Sequence, residues 1–148
     1  MGSSSTRSGS RQLDRAAEVA EAIQQATGTA VTPFETAGGP DALTRSLAEG
    51  QVVIAAGAAG VTLLPAAVWQ GLSELKVLID LNAVPPLGIE GIEATDKGTV
   101  RGRVRTWGAL GVGGTKMKIH KRAIQELFTA NDKVFDAEQV LELGRSLG

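Results

Sequence analysis

The chain has 148 residues, 43% hydrophobic and 21% charged, which is enough for one domain with a buried core. Fifteen basic and sixteen acidic side chains give a net charge of −1, so charge indicates neither nucleic acid nor an anionic membrane as a partner. Cysteine is absent, histidine occurs once, and the apolar runs are too short to span a bilayer, so we expect a cytoplasmic protein with no metal site.

The first third of the chain alternates polar, amphipathic and apolar segments. Residues 1–10 are polar and of low complexity, and we interpret them as a disordered leader or truncation scar before a folded domain at 11–148. Apolar residues at helical spacing then predict a helix over 11–27, which Gly28 ends. The next predicted elements are a short strand at 30–34, a helix at 41–48 and a buried strand at 51–56.

The remaining elements are predicted in the same way, with a long, proline-stiffened loop among them that extends to about residue 104. They are a helix at 64–70, a strand at 76–81, a strand at 105–112, a helix at 115–128 and a last helix capped by Asp136. Strands that alternate with helices imply right-handed crossovers and a parallel sheet. The predicted fold class is therefore α/β, with a Rossmann-like doubly wound sheet.

This predicted sheet is incomplete at its centre. A dinucleotide-binding Rossmann domain opens with a strand, a GxGxxG turn and a helix, and none of these precedes Arg11. In the strand order 3-2-1-4-5-6 the first strand is central, so its absence leaves a gap and an exposed edge beside the strand at 51–56. We therefore expect weak stability or self-association of this chain.

Three strand-to-helix or strand-to-loop junctions are candidates for a ligand site, because ligands of α/β sheets bind at the carboxyl ends of strands. Ser10-Arg11 suits the 2′-phosphate of NADP, and a solvated arginine at a helix start explains it equally well. Gly57-Ala58 would let a dinucleotide lie on the backbone, although a tight turn needs the same small residues. Asn82-Ala83-Val84, which two prolines follow, is interpreted as a ligand-facing loop.

A glycine-rich run, Gly111-Val112-Gly113-Gly114, precedes Thr115 and Lys116. Its spacing is not that of a Walker A loop. We predict a strand-to-helix turn there, with free N–H groups that form an anion site at the helix N-terminus. The alternative is that Thr115 only caps the helix and Lys116 is only solvated.

Three longer segments carry a family resemblance: AAGAAGVTLLPAAVW, DLNAVPPLGIEGIEATDKG and WGALGVGGTKMKIHKRAIQELF. Together they resemble the NADP-dependent methylene-tetrahydromethanopterin dehydrogenases, enzymes of one-carbon metabolism in methylotrophic and related bacteria. The resemblance runs from about Arg11 to the end of the chain. Members of that family also carry an N-terminal pterin-binding part and a GxGxxG turn, so this chain resembles their C-terminal, NADP-binding half.

The resemblance implies hydride transfer from the methylene carbon of a C1-carrying pterin to NADP⁺, the pterin being methylene-tetrahydromethanopterin or methylene-tetrahydrofolate. No proton leaves in that reaction, so it implies no catalytic acid or base and no metal. It also implies a homo-oligomeric full-length enzyme, of which this chain is a fragment that is inactive alone. The alternative is a non-catalytic interaction or assembly module, or a decaying remnant of the same enzyme. The implied contacts are Ser10 and Arg11 with the 2′-phosphate, Gly57 and Ala58 beneath the cofactor, Asn82, Ala83 and Val84 beside the nicotinamide, and Lys116 with the pterin.

Overall fold

Helices and strands alternate through most of the computed structural model, which describes residues 5–129 and 132–147. In chain order the elements are β1 (Thr6–Ser10), α1 (Leu13–Thr27), β2 (Val31–Glu35), α2 (Gly39–Leu47), β3 (Val52–Ala55), α3 (Ala66–Gly71), β4 (Val77–Asp80), β5 (Lys97–Arg101), β6 (Val104–Trp107), α4 (Ala109–Leu127) and α5 (Ala137–Arg145). This order confirms the predicted α/β class, and most predicted elements fall within two or three residues of the observed ones.

The strands form two sheets. β1 and β2 make a parallel pair, and the second sheet has the order β3-β4-β6-β5. β3, β4 and β6 are mutually parallel, whereas β5 pairs antiparallel with β6 in a hairpin. The parallel pairs joined by helices are those of a Rossmann-like α/β fold.

The hydrophobic core lies between the second sheet and the helices α2 and α3. Leu78 of β4 and Ile89 of the following loop are fully buried, and Trp69 of α3 packs among them. The indole Nε1 of Trp69 donates to the carbonyl oxygen of Glu90 at 2.8 Å, so this large side chain is buried with its polar atom satisfied. The core therefore includes residues of the loop after β4 as well as residues of the sheet.

The N-terminal segment differs from the prediction. Thr6–Ser10, part of the predicted disordered leader, forms β1 and pairs with β2, while residues 1–4 lie outside the described residues. Gly9 stands opposite Phe34 in this pair, and a Cβ on Gly9 would overlap the Phe34 ring. The sequence of this strand is rich in serine and glycine, so it contains no apolar alternation that would predict a strand. Gly9 is needed there to leave room for the Phe34 ring, and a glycine adds nothing to the hydrophobic pattern. The division of the chain into a leader and a domain remains a prediction.

The region between β4 and α4 differs as well. The predicted long loop contains β5, whose sequence KGTVR has too little apolar alternation to indicate a strand. The predicted strand at 105–112 ends at Trp107, and α4 begins at Ala109 after Gly108 in an extended conformation. The predicted helix at 115–128 is therefore the later part of a longer helix.

The last two helices pack against each other at a close contact. A Cβ on Gly144 would lie 3.0 Å from Cδ1 of Ile119, so the glycine lets α5 approach α4. Asp136 caps α5 as predicted: its carboxylate accepts from the N–H groups of Glu138 and Gln139, and the Gln139 side chain accepts from the Asp136 N–H. Of the helices in the described ranges, none is both long and apolar enough to cross a bilayer.

Candidate functional site

A groove of about 670 Å³ lies between β1 and β3, the edge strands of the two sheets. One wall contains β1 and the start of α1, including Ser10, Arg11 and Arg15. The other wall contains β3 and the turn that follows it, including Gly57 and Ala58. The structure thus brings together the first two predicted junctions, which are more than forty residues apart in the chain.

The turn after β3 is shaped by packing as well as by its place in the groove. A Cβ on Gly57 would lie 2.7 Å from Cδ1 of Leu63, so only a glycine leaves that leucine in place. The carbonyl oxygen of Ala58 accepts a hydrogen bond from Nδ2 of Asn82 at 3.0 Å. The amide side chain of Asn82 therefore joins the second predicted junction to the third.

Asn82 itself is buried, and only 7% of it is exposed. One of its side-chain donors is used by Ala58, so its contact with a ligand would be limited to the remaining amide atoms. Ala83 and Val84, which follow it, are exposed at the surface. Asn82, Ala83 and Val84 are not among the described residues that line the groove. The third junction therefore borders the groove only through its hydrogen bond to Ala58.

Asp80, at the end of β4, holds this loop in place and was not singled out in the sequence. Its carboxylate is fully buried and accepts from the backbone N–H of Asn82 at 2.9 Å and from that of Ile89 at 2.8 Å. A Cβ on Gly88 would lie 2.8 Å from Oδ1 of Asp80, so the glycine lets the returning backbone pass close to the carboxylate. The only sequence signal is an aspartate that ends an apolar strand, VLID.

The loop between Asn82 and Ile89 contains a cis peptide bond between Pro85 and Pro86. It returns to the connection between β3 and α3, where the N–H groups of Leu63 and Leu64 donate to the carbonyl oxygen of Gly88 at 2.7 and 3.0 Å. These contacts fix the loop against the wall of the groove that carries Gly57 and Ala58.

The predicted anion site at the glycine-rich run is wrong. Gly111 lies inside α4, and several N–H groups at the start of this helix donate to backbone carbonyl oxygens. Gly108 donates to the carbonyl oxygen of Asp96 at 2.9 Å, and Leu110 donates to that of Ala94 at 2.8 Å. A Cβ on Gly111 would overlap the Asp96 carbonyl oxygen, and one on Gly108 would overlap that of Glu93, so these two glycines allow close backbone packing.

The sequence pattern missed this packing because a glycine-rich run after apolar residues is typical of a turn. Lys116, predicted to contact the pterin, is exposed on α4 and is not among the described residues that line the groove. The geometry of the groove does not test this contact, so the role of Lys116 remains a prediction.

An ion pair between the buried Asp96 and the partly exposed Arg101 fixes the turn that caps α4. The carboxylate of Asp96 accepts from Nε and Nη2 of Arg101 at 2.7 and 2.8 Å and from the hydroxyl of Thr106 at 2.8 Å. The hydrogen bonds from the Arg101 guanidinium hold the pKa of Asp96 well below its usual range, and the same pair raises the pKa of Arg101. All these partners lie within the fold, so the pair stabilises structure.

The chain was compared with known proteins, and no family model matches it. The Bifunctional protein MdtA of Methylorubrum extorquens is 44% identical over 138 residues, 93% of this chain and 47% of that protein. The NAD(P)-dependent methylenetetrahydromethanopterin dehydrogenase of the same organism is 35% identical over 95 residues, 63% of this chain and 32% of that protein. The chain thus spans less than half the length of these curated relatives, and the resemblance inferred from the motifs is confirmed.

Proposed function

We propose that this chain, as a relative of the methylenetetrahydromethanopterin dehydrogenases, is the NADP-binding half of such an enzyme. In the assembled enzyme it would take part in hydride transfer from the methylene carbon of a C1-carrying pterin to NADP⁺. The observation that carries this proposal is the convergence of Ser10 and Arg11 with Gly57 and Ala58 on one groove. The relative that matches over 95 residues is an NAD(P)-dependent dehydrogenase, which supports the same cofactor.

The groove fits a dinucleotide phosphate at its β1 end. Arg11 and Arg15 both line it, and both lie at the surface where their guanidinium groups are accessible. Guanidinium groups bind phosphate oxygens in pairs, and the hydroxyl of Ser10 adds a further donor. These residues match the charge of a 2′-phosphate, which distinguishes NADP from NAD.

The opposite wall fits the middle of the cofactor. Gly57 has no side chain, Ala58 has only a methyl group, and both residues are exposed, so a ribose and a pyrophosphate can approach their backbone. When bound, NADP⁺ supplies the nicotinamide carbon that accepts the hydride. Ala83 and Val84, which follow Asn82, are proposed to border the nicotinamide, and the hydrogen bond from Asn82 to Ala58 supports this by joining their loop to the wall of the groove. Lys116 is proposed to contact the pterin.

NADP⁺ and NAD⁺ titrated into the chain of 148 residues, with backbone amide NMR shifts as the readout, test this proposal. We expect shifts at Ser10, Arg11, Gly57 and Ala58. Arg11→Gln should weaken NADP⁺ by about tenfold or more and leave NAD⁺ unchanged, because hydrogen bonds to charged groups contribute about 1.5–3 kcal/mol. The matched control is Arg45→Gln, an exposed arginine on α2.

Two results would contradict the proposal. One is the absence of shifts in the groove at millimolar NADP⁺; the other is an equal loss of affinity for both dinucleotides in Arg11→Gln. Activity is proposed for the assembled enzyme only, so NADPH formation by this chain alone with methylene-tetrahydromethanopterin would contradict the fragment interpretation. Replacing that substrate with methylene-tetrahydrofolate identifies the preferred carrier.

A second candidate, a non-catalytic interaction or assembly module, is favoured by the same open groove. In that case the groove binds protein and not a dinucleotide. A cooperative thermal transition whose midpoint does not change with NADP⁺ would support this candidate.

A further inference from the structure

The connection between β3 and α3 forms one wall of the groove. Residues 57–64 make this connection and are termed the wall segment, and Ala58, Leu63 and Leu64 within it line the groove. Most of the wall segment belongs to neither a helix nor a strand, and one isolated bridge joins Leu64 to Ile89. Its position therefore depends on hydrogen bonds to other parts of the fold.

The loop after β4 holds the wall segment near both of its ends. At the first end, the carbonyl oxygen of Ala58 accepts from Nδ2 of Asn82 at 3.0 Å. At the second end, the N–H groups of Leu63 and Leu64 both donate to the carbonyl oxygen of Gly88, at 2.7 and 3.0 Å. Displacement of this loop would therefore release both ends of the wall segment.

Both contacts lead to the carboxylate of Asp80. One of its oxygens accepts from the backbone N–H of Asn82, the residue whose side chain holds Ala58. The other oxygen accepts from the N–H of Ile89, which belongs to the same planar peptide group as the carbonyl of Gly88. That peptide group is bound to Asp80 on one side and to the wall segment on the other. Hydrogen bonds linked in such a chain polarise and strengthen one another.

Asp80 itself does not face the groove. Its side chain is fully buried, and both of its carboxylate oxygens have backbone partners. It is not among the described residues that line the groove. Asp80 can therefore act on a bound molecule only through the groups that it holds, which makes it a positioning residue and not a catalytic one.

The opposite wall of the groove belongs to the other sheet. Ser10 and Arg11 lie at the end of β1, which pairs with β2, whereas Asp80 ends β4 in the four-stranded sheet. Among the described residues, the hydrogen bonds of Asp80 go to the loop after β4. A change at Asp80 should therefore disturb the wall segment and leave in place the residues proposed to bind the 2′-phosphate.

We propose that Asp80 positions the wall segment for the part of the dinucleotide that lies against Gly57 and Ala58, while the 2′-phosphate binds independently of it. This inference rests on the proposed function, because it assigns the wall segment to the ribose and pyrophosphate of NADP⁺. A backbone that is ordered before binding loses little conformational freedom when the ligand arrives, so preorganisation raises affinity. Once the wall segment is loosened, that loss accompanies binding, and the affinity for the whole dinucleotide falls.

The test compares two ligands of the 148-residue chain by isothermal titration calorimetry. NADP⁺ is proposed to reach both walls, whereas adenosine 2′,5′-bisphosphate carries the 2′-phosphate and lacks the nicotinamide and its ribose. Asp80→Asn should raise the Kd of NADP⁺ by about tenfold, because asparagine keeps only one of the two acceptor oxygens. The Kd of the bisphosphate should stay within about twofold, since sites without shared partners act independently.

Two further variants separate this effect from a general loss of stability. Asp96→Asn also replaces a buried carboxylate with its amide, at a position that is not among the described residues lining the groove, so both Kd values should stay unchanged. Gly88→Ala disturbs the same contact from the loop side, since its Cβ would lie 2.8 Å from Oδ1 of Asp80. It should reproduce the selective loss of NADP⁺ affinity.

Amide hydrogen exchange provides a readout without any ligand. The reference is the amide of Arg105, which donates to the carbonyl oxygen of Lys76 at 2.9 Å beside the pair of β4 and β6. In Asp80→Asn the amides of Leu63 and Leu64 should exchange about tenfold faster relative to this reference. A general loss of stability would instead accelerate all three amides alike.

Two kinds of result would overturn the inference. One is an NADP⁺ affinity that Asp80→Asn leaves unchanged, or that falls together with the affinity for the bisphosphate. The other is unchanged relative exchange at Leu63 and Leu64. If the unaltered chain binds neither ligand, the proposed function fails, and the exchange rates then decide separately whether Asp80 positions the wall segment.

Discussion

Replacing Asp80 with asparagine tests whether this carboxylate fixes the loop that borders the groove. Each of its two oxygens accepts one backbone N–H, from Asn82 at 2.9 Å and from Ile89 at 2.8 Å. Asparagine has nearly the same shape but only one acceptor oxygen, so one N–H would face an NH₂ group. Because the side chain is fully buried, water does not replace the lost bond.

The expected cost follows from that single lost bond. A hydrogen bond to a charged group contributes about 1.5–3 kcal/mol, and a buried N–H left without a partner costs a similar amount, so we expect a loss of about 2–3 kcal/mol. That is a large part of the stability of a domain, which is about 5–15 kcal/mol. Hydrogen exchange should also accelerate across residues 82–89, since both bonded amides lie at the ends of this loop.

Urea unfolding followed by tryptophan fluorescence measures this cost, because Trp69 lies in the core that contacts the same loop. The matched control is Asp132→Asn, at an exposed aspartate, which should change the free energy of unfolding by less than about 0.5 kcal/mol. If Asp80→Asn unfolds at the same urea concentration as this control, the carboxylate does not hold the loop and the reasoning fails.

Three further predictions concern the region around α4 and α5. Asp96→Asn should lower the free energy of unfolding by about 3 kcal/mol near neutral pH, because it breaks an ion pair whose carboxylate is buried. Folding depresses the Asp96 pKa, so this contribution is complete above the unfolded pKa of about 4 and is lost as pH falls further. The urea midpoints of the two proteins should therefore converge in acid, and a constant difference would contradict the assignment. Gly111→Ala should destabilise the protein by about 1–3 kcal/mol, because the added Cβ overlaps the Asp96 carbonyl oxygen. Gly113→Ala, at a site with open space around it, should stabilise the protein by up to about 1 kcal/mol. Equal thermal midpoints for the two variants would be inconsistent with this packing. Asp136→Ala should cost about 1 kcal/mol through the lost cap of α5, measured by circular dichroism, and an unchanged helix signal and midpoint would argue against the cap.

The sequence predicted the alternation of strands and helices because periodic apolar residues determine it locally. The runs at 51–56 and 76–81 contain β3 and β4, and the C-terminal glycine Gly28 ends α1 where expected. Among the described residues β3 is an edge strand of its sheet, as the predicted strand order implies, and the incompleteness of that sheet remains a prediction. Two of the three junctions meet in the groove because the carboxyl ends of strands approach each other in α/β folds.

The remainder depends on contacts between distant backbone segments, which local patterns do not contain. In the sequence Gly111 resembles a turn glycine, and only the folded structure shows that the carbonyl oxygen of Asp96 occupies the space a Cβ would need. In the sequence Asp80 resembles the polar end of any strand, and only the folded structure shows that its carboxylate accepts the N–H of Ile89. Asn82 was interpreted as a ligand contact, and its hydrogen bond to Ala58 shows that the same amide also connects two loops.

The limited burial of α4 and α5 affects the order in which the protein unfolds. Within the described ranges neither helix buries a side chain, although the first turn of α4 is held by the carbonyl groups of Ala94 and Asp96. Segments with few buried contacts open with a smaller free energy than the core does. The helical hairpin should therefore melt before the sheets, in a sub-global step that the fluorescence of core Trp69, measured with Trp107 replaced by phenylalanine, does not record. Circular dichroism would record it, so the two signals should give separate transitions.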